Sequence, residues 1–434
     1  MNRNTLNIIQ LGFGMLLVFF AFFSQSFIVE TVVQNRHDED PSVWKHAGYY
    51  SQMLAYVSFV LGNLAAPTLL SILGPRLSFI CAALPSPIYM SGFLFFNQYF
   101  LYGSCIVAGF MAGCLWTSIG KYVAANSDEK TISRHSNLMV FIYMPSMIFG
   151  GTFLLVVFGS RTDQKISMET TRLLFGIFAV VNFIGVITLG LLPQKRKNDR
   201  HSTNHFKELV KTVKLFTTRD QWLLAVPSAF TGIETSFFTS VYPTALSFTK
   251  SFSMNTNQLM GLNAIATGAG ELFGAAFFAW SSKWTDRIGR WPLMWIGTGI
   301  SLISYALIAY NLPANSTHTM TNEKPIASSP SITIGLICGF MLGFVDCCVN
   351  TRIMSHIAIR YSEDPAPSYA LFNFWLALFT ASCLFYGSVA SLYMQLGLLS
   401  VGSLASAITY TIADRNLMNN LKLTKGTIPE VKKP

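Results

Sequence analysis

Charge is the scarce ingredient of this sequence. Only 12% of its 434 residues are Asp, Glu, Lys or Arg, about half the share in a soluble domain. A chain so poor in charge cannot cover a water-facing surface, and the expected solvent is lipid. Residues 77–120 carry no charged side chain at all. That stretch is too long for one bilayer crossing of about 20 residues, and Asn97-Gln98 is its natural break. Also missing are a phosphate-binding loop, a nucleophile elbow and a catalytic triad. The seven cysteines sit in apolar runs, with neither metal-ligand spacing nor a disulfide framework. His37 and His46 lack zinc spacing. No enzyme, no cofactor and no metal site is expected. The net charge of +10 is spread over short segments between apolar runs, which argues against a nucleic-acid partner.

What the sequence has in abundance is apolar length: 51% of it is hydrophobic and 14% aromatic. The aromatics are what lipid-facing helices and interfacial belts require, and by themselves they imply no stacking site. The first apolar run, 6–28, has membrane-spanning length and exceeds a signal-peptide core. Further spans are expected near 49–70, 77–96, 99–121, 136–158 and 172–192, then near 222–245, 257–281, 292–311, 331–354, 368–387 and 392–413. The fold class is therefore an all-α polytopic membrane protein with twelve transmembrane helices in two six-helix halves. The halves are 1–192 and 222–413. Between them, 193–221 is a basic linker, and 414–434 forms a tail.

The linker holds eight Lys or Arg residues from Lys195 to Arg219. Residues 193–200 read as a basic stop at the inner face. Beyond it Phe206, Leu209, Val210, Val213 and Phe216 recur at helical intervals with Lys207, Lys211 and Lys214 between them. That pattern predicts an amphipathic helix on the membrane surface, drawn to anionic lipid. With the N-terminus inside, inner segments hold 23 of the 30 basic residues, which places both termini in the cytoplasm. Either the plasma membrane or an endomembrane fits. The sequon at Asn315-Ser316-Thr317 then falls outside, where glycosylation is possible.

Corresponding loops of the two halves echo each other. Asn126-Ser127-Asp128-Glu129 follows span four, and Tyr361-Ser362-Glu363-Asp364-Pro365 follows span ten. Trp284-Thr285-Asp286-Arg287-Ile288-Gly289-Arg290 resembles the Asp-Arg-x-Gly-Arg loop signature of the major facilitator superfamily. The resemblance implies a tight glycine turn holding the inner ends of neighbouring helices, with a solute site between the halves. The first-half copy keeps Gly74, Pro75 and Arg76 but has Ser71 and Ile72 where Asp and Arg would stand, so any charge latch belongs mainly to the second half. Asp128-Glu129 and Glu363-Asp364 could pair with Arg76, Arg287 or Arg290, or serve as ordinary helix caps.

A narrower resemblance spans nearly the whole chain. Leu115-Trp116-Thr117, Asn126-Ser127-Asp128-Glu129, Thr231-Gly232-Ile233-Glu234 with Tyr242, Gly268-Ala269-Gly270-Glu271 and the stretch from Tyr361 to Pro367 are similar to the Unc-93-like family. Within it the chain looks closest to the branch called major facilitator superfamily domain-containing protein eleven. The family's roles diverge: one branch regulates a two-pore potassium channel, another is a trafficking chaperone for Toll-like receptors, and the eleven-like branch is an orphan carrier.

Three acidic residues fall deep within predicted spans: Glu234, Glu271 and Asp346. Each costs about 2.5–3.5 kcal/mol at bilayer depth on insertion scales, so each needs a reason to be there. Helical spacing puts Thr231, Glu234 and Tyr242 on one face, Asn263, Thr267 and Glu271 on another, and Asp346 and Asn350 at the end of a glycine stripe. They either line a cavity that binds protons or cations, or cross-link helices by hydrogen bonds. Lys121 could oppose them across the cavity or snorkel to lipid headgroups. Glu30 reads as a solvated residue at the outer end of span one, with a gate role as the alternative. Two functions stay open. The favoured one is a solute carrier working by alternating access, with a small solute and protons or cations as ligands. The other is a regulatory subunit or trafficking partner of an ion channel or receptor.

Overall fold

In a computed structural model, described for residues 2–128, 131–159, 165–193, 205–361 and 366–426, the chain is helical almost throughout. An isolated bridge from Thr249 to Thr321 is the one pairing of extended backbone among those residues. Before the linker lie α1 (Arg3–Glu39), α2 (Ala47–Ala83), α3 (Pro85–Phe95), α4 (Gln98–Ala125), α5 (Ile132–Tyr143), α6 (Ser146–Gly159) and α7 (Met168–Gly190). The linker contributes α8 (His205–Phe216). After it come α9 (Arg219–Ser236), a π-helical turn (Phe237–Val241), α10 (Tyr242–Phe248), α11 (Thr256–Ile288), α12 (Trp291–Asn311), α13 (Ile332–Arg360), α14 (Ala366–Gly387) and α15 (Leu392–Gly426).

Local chemistry sets the ends of these helices. Asn97 caps α4 by accepting the Tyr99 and Phe100 N–H groups at 3.0 and 3.1 Å, and Ser167 caps α7 through the Thr170 N–H. Pro145, which has no N–H to give, separates α5 from α6. Gly289 turns α11 into α12 at φ +96°, a conformation that glycine adopts without strain.

Nine helical segments among the described residues are long and apolar enough to cross a membrane. Residues such as Phe95, Trp280, Ile72 and Val401 stand more than two-thirds exposed on their outer sides, the arrangement lipid favours. The segments that carry Glu234 and Glu271, α9 and α11, are not among those nine, and α9 is separated from α10 by the π turn.

The expected loop at 71–76 is not a break in helical hydrogen bonding, which runs on to Ala83. The chain nevertheless doubles back between Ser51 and Tyr89. Ser51 and Tyr89 hydroxyls lie 3.3 Å apart, although 38 residues of straight helix would separate them by about 57 Å. At the other end of the chain α15 continues to Gly426, well past the expected end of the last span.

One face of the bundle carries the chain ends and α8, and we call it the linker face. The opposite face carries the α1–α2 corner and the 312–331 loop. The helices before α8 meet those after it near the opposite face. There Ser240 donates to Gln52 at 2.8 Å, Ser388 donates to Tyr50 at 3.1 Å and Gln258 donates to the Phe158 carbonyl at 3.3 Å. α6 and α11 approach at Gly151 and Gly261, where a Cβ on either would fall within 2.7 Å of the facing backbone. Within the first group, a Cβ on Gly62 or Gly109 would overlap a facing carbonyl between α2 and α4.

Candidate functional site

Glu234, Glu271 and Asp346 come from α9, α11 and α13 and gather in the middle of the bundle. Asp346 is half-buried. Its Oδ1 accepts from Thr235 Oγ1 at 3.2 Å and from Asn350 Nδ2 at 3.0 Å. Glu234 is fully buried. Tyr305 of α12 donates to its Oε1 at 3.4 Å, and its Oε2 has no hydrogen-bond partner. Glu271 is buried and within electrostatic range of Asp346. Tyr56 of α2 and Tyr143 of α5 also lie within that range of Asp346. The acidic groups of the later helices therefore face tyrosines of the earlier ones. Among the described residues no Lys or Arg is ion-paired with any of the three.

A basic residue shares a helix with Asp346, six residues nearer the linker face. Arg352 is 5% exposed on α13, with its guanidinium 4.7 Å from the Phe278 ring centroid. It belongs to a second buried cluster at the linker face. Asp414 of α15 accepts from the Arg290 and Trp291 N–H groups at 2.6 and 3.0 Å, capping α12. Its other oxygen lies 3.7 Å from Arg290 Nη1 and 3.9 Å from His356 Nδ1. Arg290 also donates through Nε to Ser355. Its carboxylate partner is thus Asp414 and not Asp128, which stands exposed with its N–H bonded to Thr131.

Other expected residues are placed as follows. The Thr231 hydroxyl bonds its own helix at the Pro227 carbonyl, and Tyr242 donates to the Gly335 carbonyl at 2.6 Å. Both are buried in packing and are not free in a cavity. Lys121 is exposed. Glu30 is buried and not solvated. His46 Nδ1 sits 2.8 Å from its Oε1, and the Tyr49 N–H bonds Oε2 at 2.9 Å. The His318 ring packs at 6.2 Å from the His46 ring. Asn315 is exposed and donates to Glu323. Gly74 and Arg76 lie within α2, and Asp286 and Arg287 within α11, but their side chains are outside the described set. Glu129, Glu363 and Asp364, and the basic residues 195–200, lie outside the described residues.

Sequence reasoning missed Tyr305, Tyr143, Asp414 and His356. Only Asp414 left a trace, as a charge directly after an apolar run.

These features define a multi-pass helical membrane protein with a fold of the major facilitator type. Its fold resembles the nucleoside transporter NupG at TM-score 0.65, with 12% identity and 95% and 99% of the two chains covered. It also resembles a POT peptide transporter at TM-score 0.67, with 13% identity and 94% and 95% covered. The model of the UNC-93 ion channel regulatory protein family matches residues 39–411, and the chain belongs to that family. It is similar to the UNC93-like protein MFSD11 of Xenopus tropicalis, 27% identical over 96% of this chain and 97% of the relative. Its similarity to the Bos taurus protein unc-93 homolog A is 20% identity over 95% and 94%.

Proposed function

We propose that the protein is a solute carrier working by alternating access, built as two six-helix halves around the carboxylate site and coupled to protons or cations. The observation that carries this reading is the position of the site. Asp346 and Glu271 lie between the two groups of helices, within range of Tyr143 from the other group, while the bonds that join the groups cluster at the opposite face. That arrangement fits a state open toward the linker face, which we take as cytoplasmic, with both termini there. Asn315, exposed at the opposite face, is then available for glycosylation. α8 fits a strap on the membrane surface, with Phe216 stacked on Trp375 of α14 at 5.7 Å.

A buried carboxylate without an ion-pair partner is stabilised by a proton or a cation. Glu234 and Asp346 are the coupling groups in this reading. In proteoliposomes, Glu234→Gln and Asp346→Asn abolish pH-dependent flux while the protein remains monodisperse. Full flux with unchanged pH dependence in both variants rules the coupling role out.

The family description favours a second reading, a non-transporting regulator of an ion channel. Absence of flux across a broad solute panel, together with co-purification of a channel subunit, would select it.

A further inference from the structure

Facing Asp346 and Glu271 is a wall of a different kind. Phe19 of α1 stacks on Tyr143 of α5 with centroids 5.3 Å apart and 24° between planes. Trp116 of α4 lies 5.6 Å from Phe19 and keeps 37% of its surface exposed. Phe23 also stacks on Phe19, at 5.3 Å. Three helices before the linker thus assemble one aromatic surface, and its Tyr143 lies within electrostatic range of both Glu271 and Asp346.

The acidic wall is under-satisfied. Glu234 Oε2 is buried without a partner. Asn263, about two helical turns from Glu271 on α11, is fully buried with neither amide atom bonded. It packs at Gly339, two turns from Asp346 on α13. Buried polar groups without a partner call for one, and a ligand seated here would supply it.

We propose that this cleft binds an organic cation, a protonated amine or quaternary ammonium that carries an apolar or aromatic group. The assignment takes its site from the carrier reading. The positive centre lies between Asp346, Glu271 and Glu234, which have no ion-pair partner of their own. The apolar part lies on the Phe19–Trp116–Tyr143 surface, where ring faces attract a desolvated cation. An inorganic cation would use the carboxylates but would have no need of the aromatic wall. An anionic solute would meet like charge on one side.

The test is equilibrium binding of 1-methyl-4-phenylpyridinium to the purified full-length protein in detergent, with neutral 4-phenylpyridine and anionic p-aminohippurate as comparisons. Saturable binding of the cation alone is expected. Asp346→Asn and Trp116→Ala should each weaken it about tenfold, while Trp116→Phe keeps most of it. All variants must elute as the wild type does. Equal affinity for the cation and its neutral counterpart overturns the proposal, and so does unchanged affinity in both weakening variants. Flux in proteoliposomes separates the two readings: cation binding without flux refutes the carrier and leaves this site, whereas flux of neutral or anionic solutes without cation binding does the reverse.

Discussion

Asp414 joins two tasks in one carboxylate. One oxygen satisfies the first N–H groups of α12, and the other faces Arg290 and His356 in a buried setting. The glycine beside it is required by space as well as by φ, since a Cβ on Gly289 would sit 2.8 Å from Asp414 Oδ2. Removing one partner of a buried pair leaves an uncompensated charge, at a cost of about 3–5 kcal/mol. Asp414→Ala should therefore lower the thermal unfolding midpoint in detergent sharply, and Arg290→Ala in the same background should recover part of the loss. A midpoint that does not move in the single variant would refute the pairing. Neither residue is close to the carboxylate site, so cation binding in surviving protein should be unaffected.

At the scale of elements, legibility depended on how local the cause was. The apolar runs, the break at Asn97 and the glycine turn at Gly289 are near-neighbour effects, and sequence shows them directly. The heptad-like spacing from Phe206 to Phe216 can be read the same way, and α8 occupies it. The π turn at Phe237–Val241 cannot, because nothing in its five residues forbids an ordinary helix. It is fixed by tertiary partners. Ser240 reaches Gln52 on α2, and Thr239 bonds back to the carbonyl of Thr235, the residue whose hydroxyl donates to Asp346. The carboxylates themselves were visible as charges in apolar runs. Their tyrosine partners were not, since Tyr143 and Tyr305 look like any interfacial aromatic. Such turns concentrate at functional positions. Deleting Phe238 should restore regular helix and rotate Thr235 away from Asp346. Expression and folding should be preserved, with flux reduced at least about tenfold, as a misplaced site residue costs that much or more. Undiminished flux would show that the turn is incidental.

For the whole molecule, the contact near the opposite face is where an environmental signal could enter. His318, in the loop after α12, meets His46 of the α1–α2 corner across the two helical groups. Burial, with His46 and Lys45 adding to it, pushes the His318 imidazole below its ordinary 6.5. The closed contact thus disfavours the charged ring. The contribution of this histidine to closure is therefore full above pH 6.5 and declines as pH falls toward the lowered value. Glu30 faces His46, and backbone groups of Ser388 and Ala390 face His318. A spin-label distance across this face should lengthen on acidification in the wild type and stay constant in His318→Gln. An identical response in the variant would assign the effect elsewhere.

The meeting of α6 and α11 has one more consequence. The contact runs as a seam, from Gln258 at the Phe158 carbonyl through Gly261 and Gly151 to Gly268 against Met147 and Ile148. Glycine at three places along it leaves few protruding side chains to interlock. Two rods meeting on so smooth a track can tilt and slide while staying in close contact. The seam would thereby act as a bearing, which holds the two groups of helices together while they move.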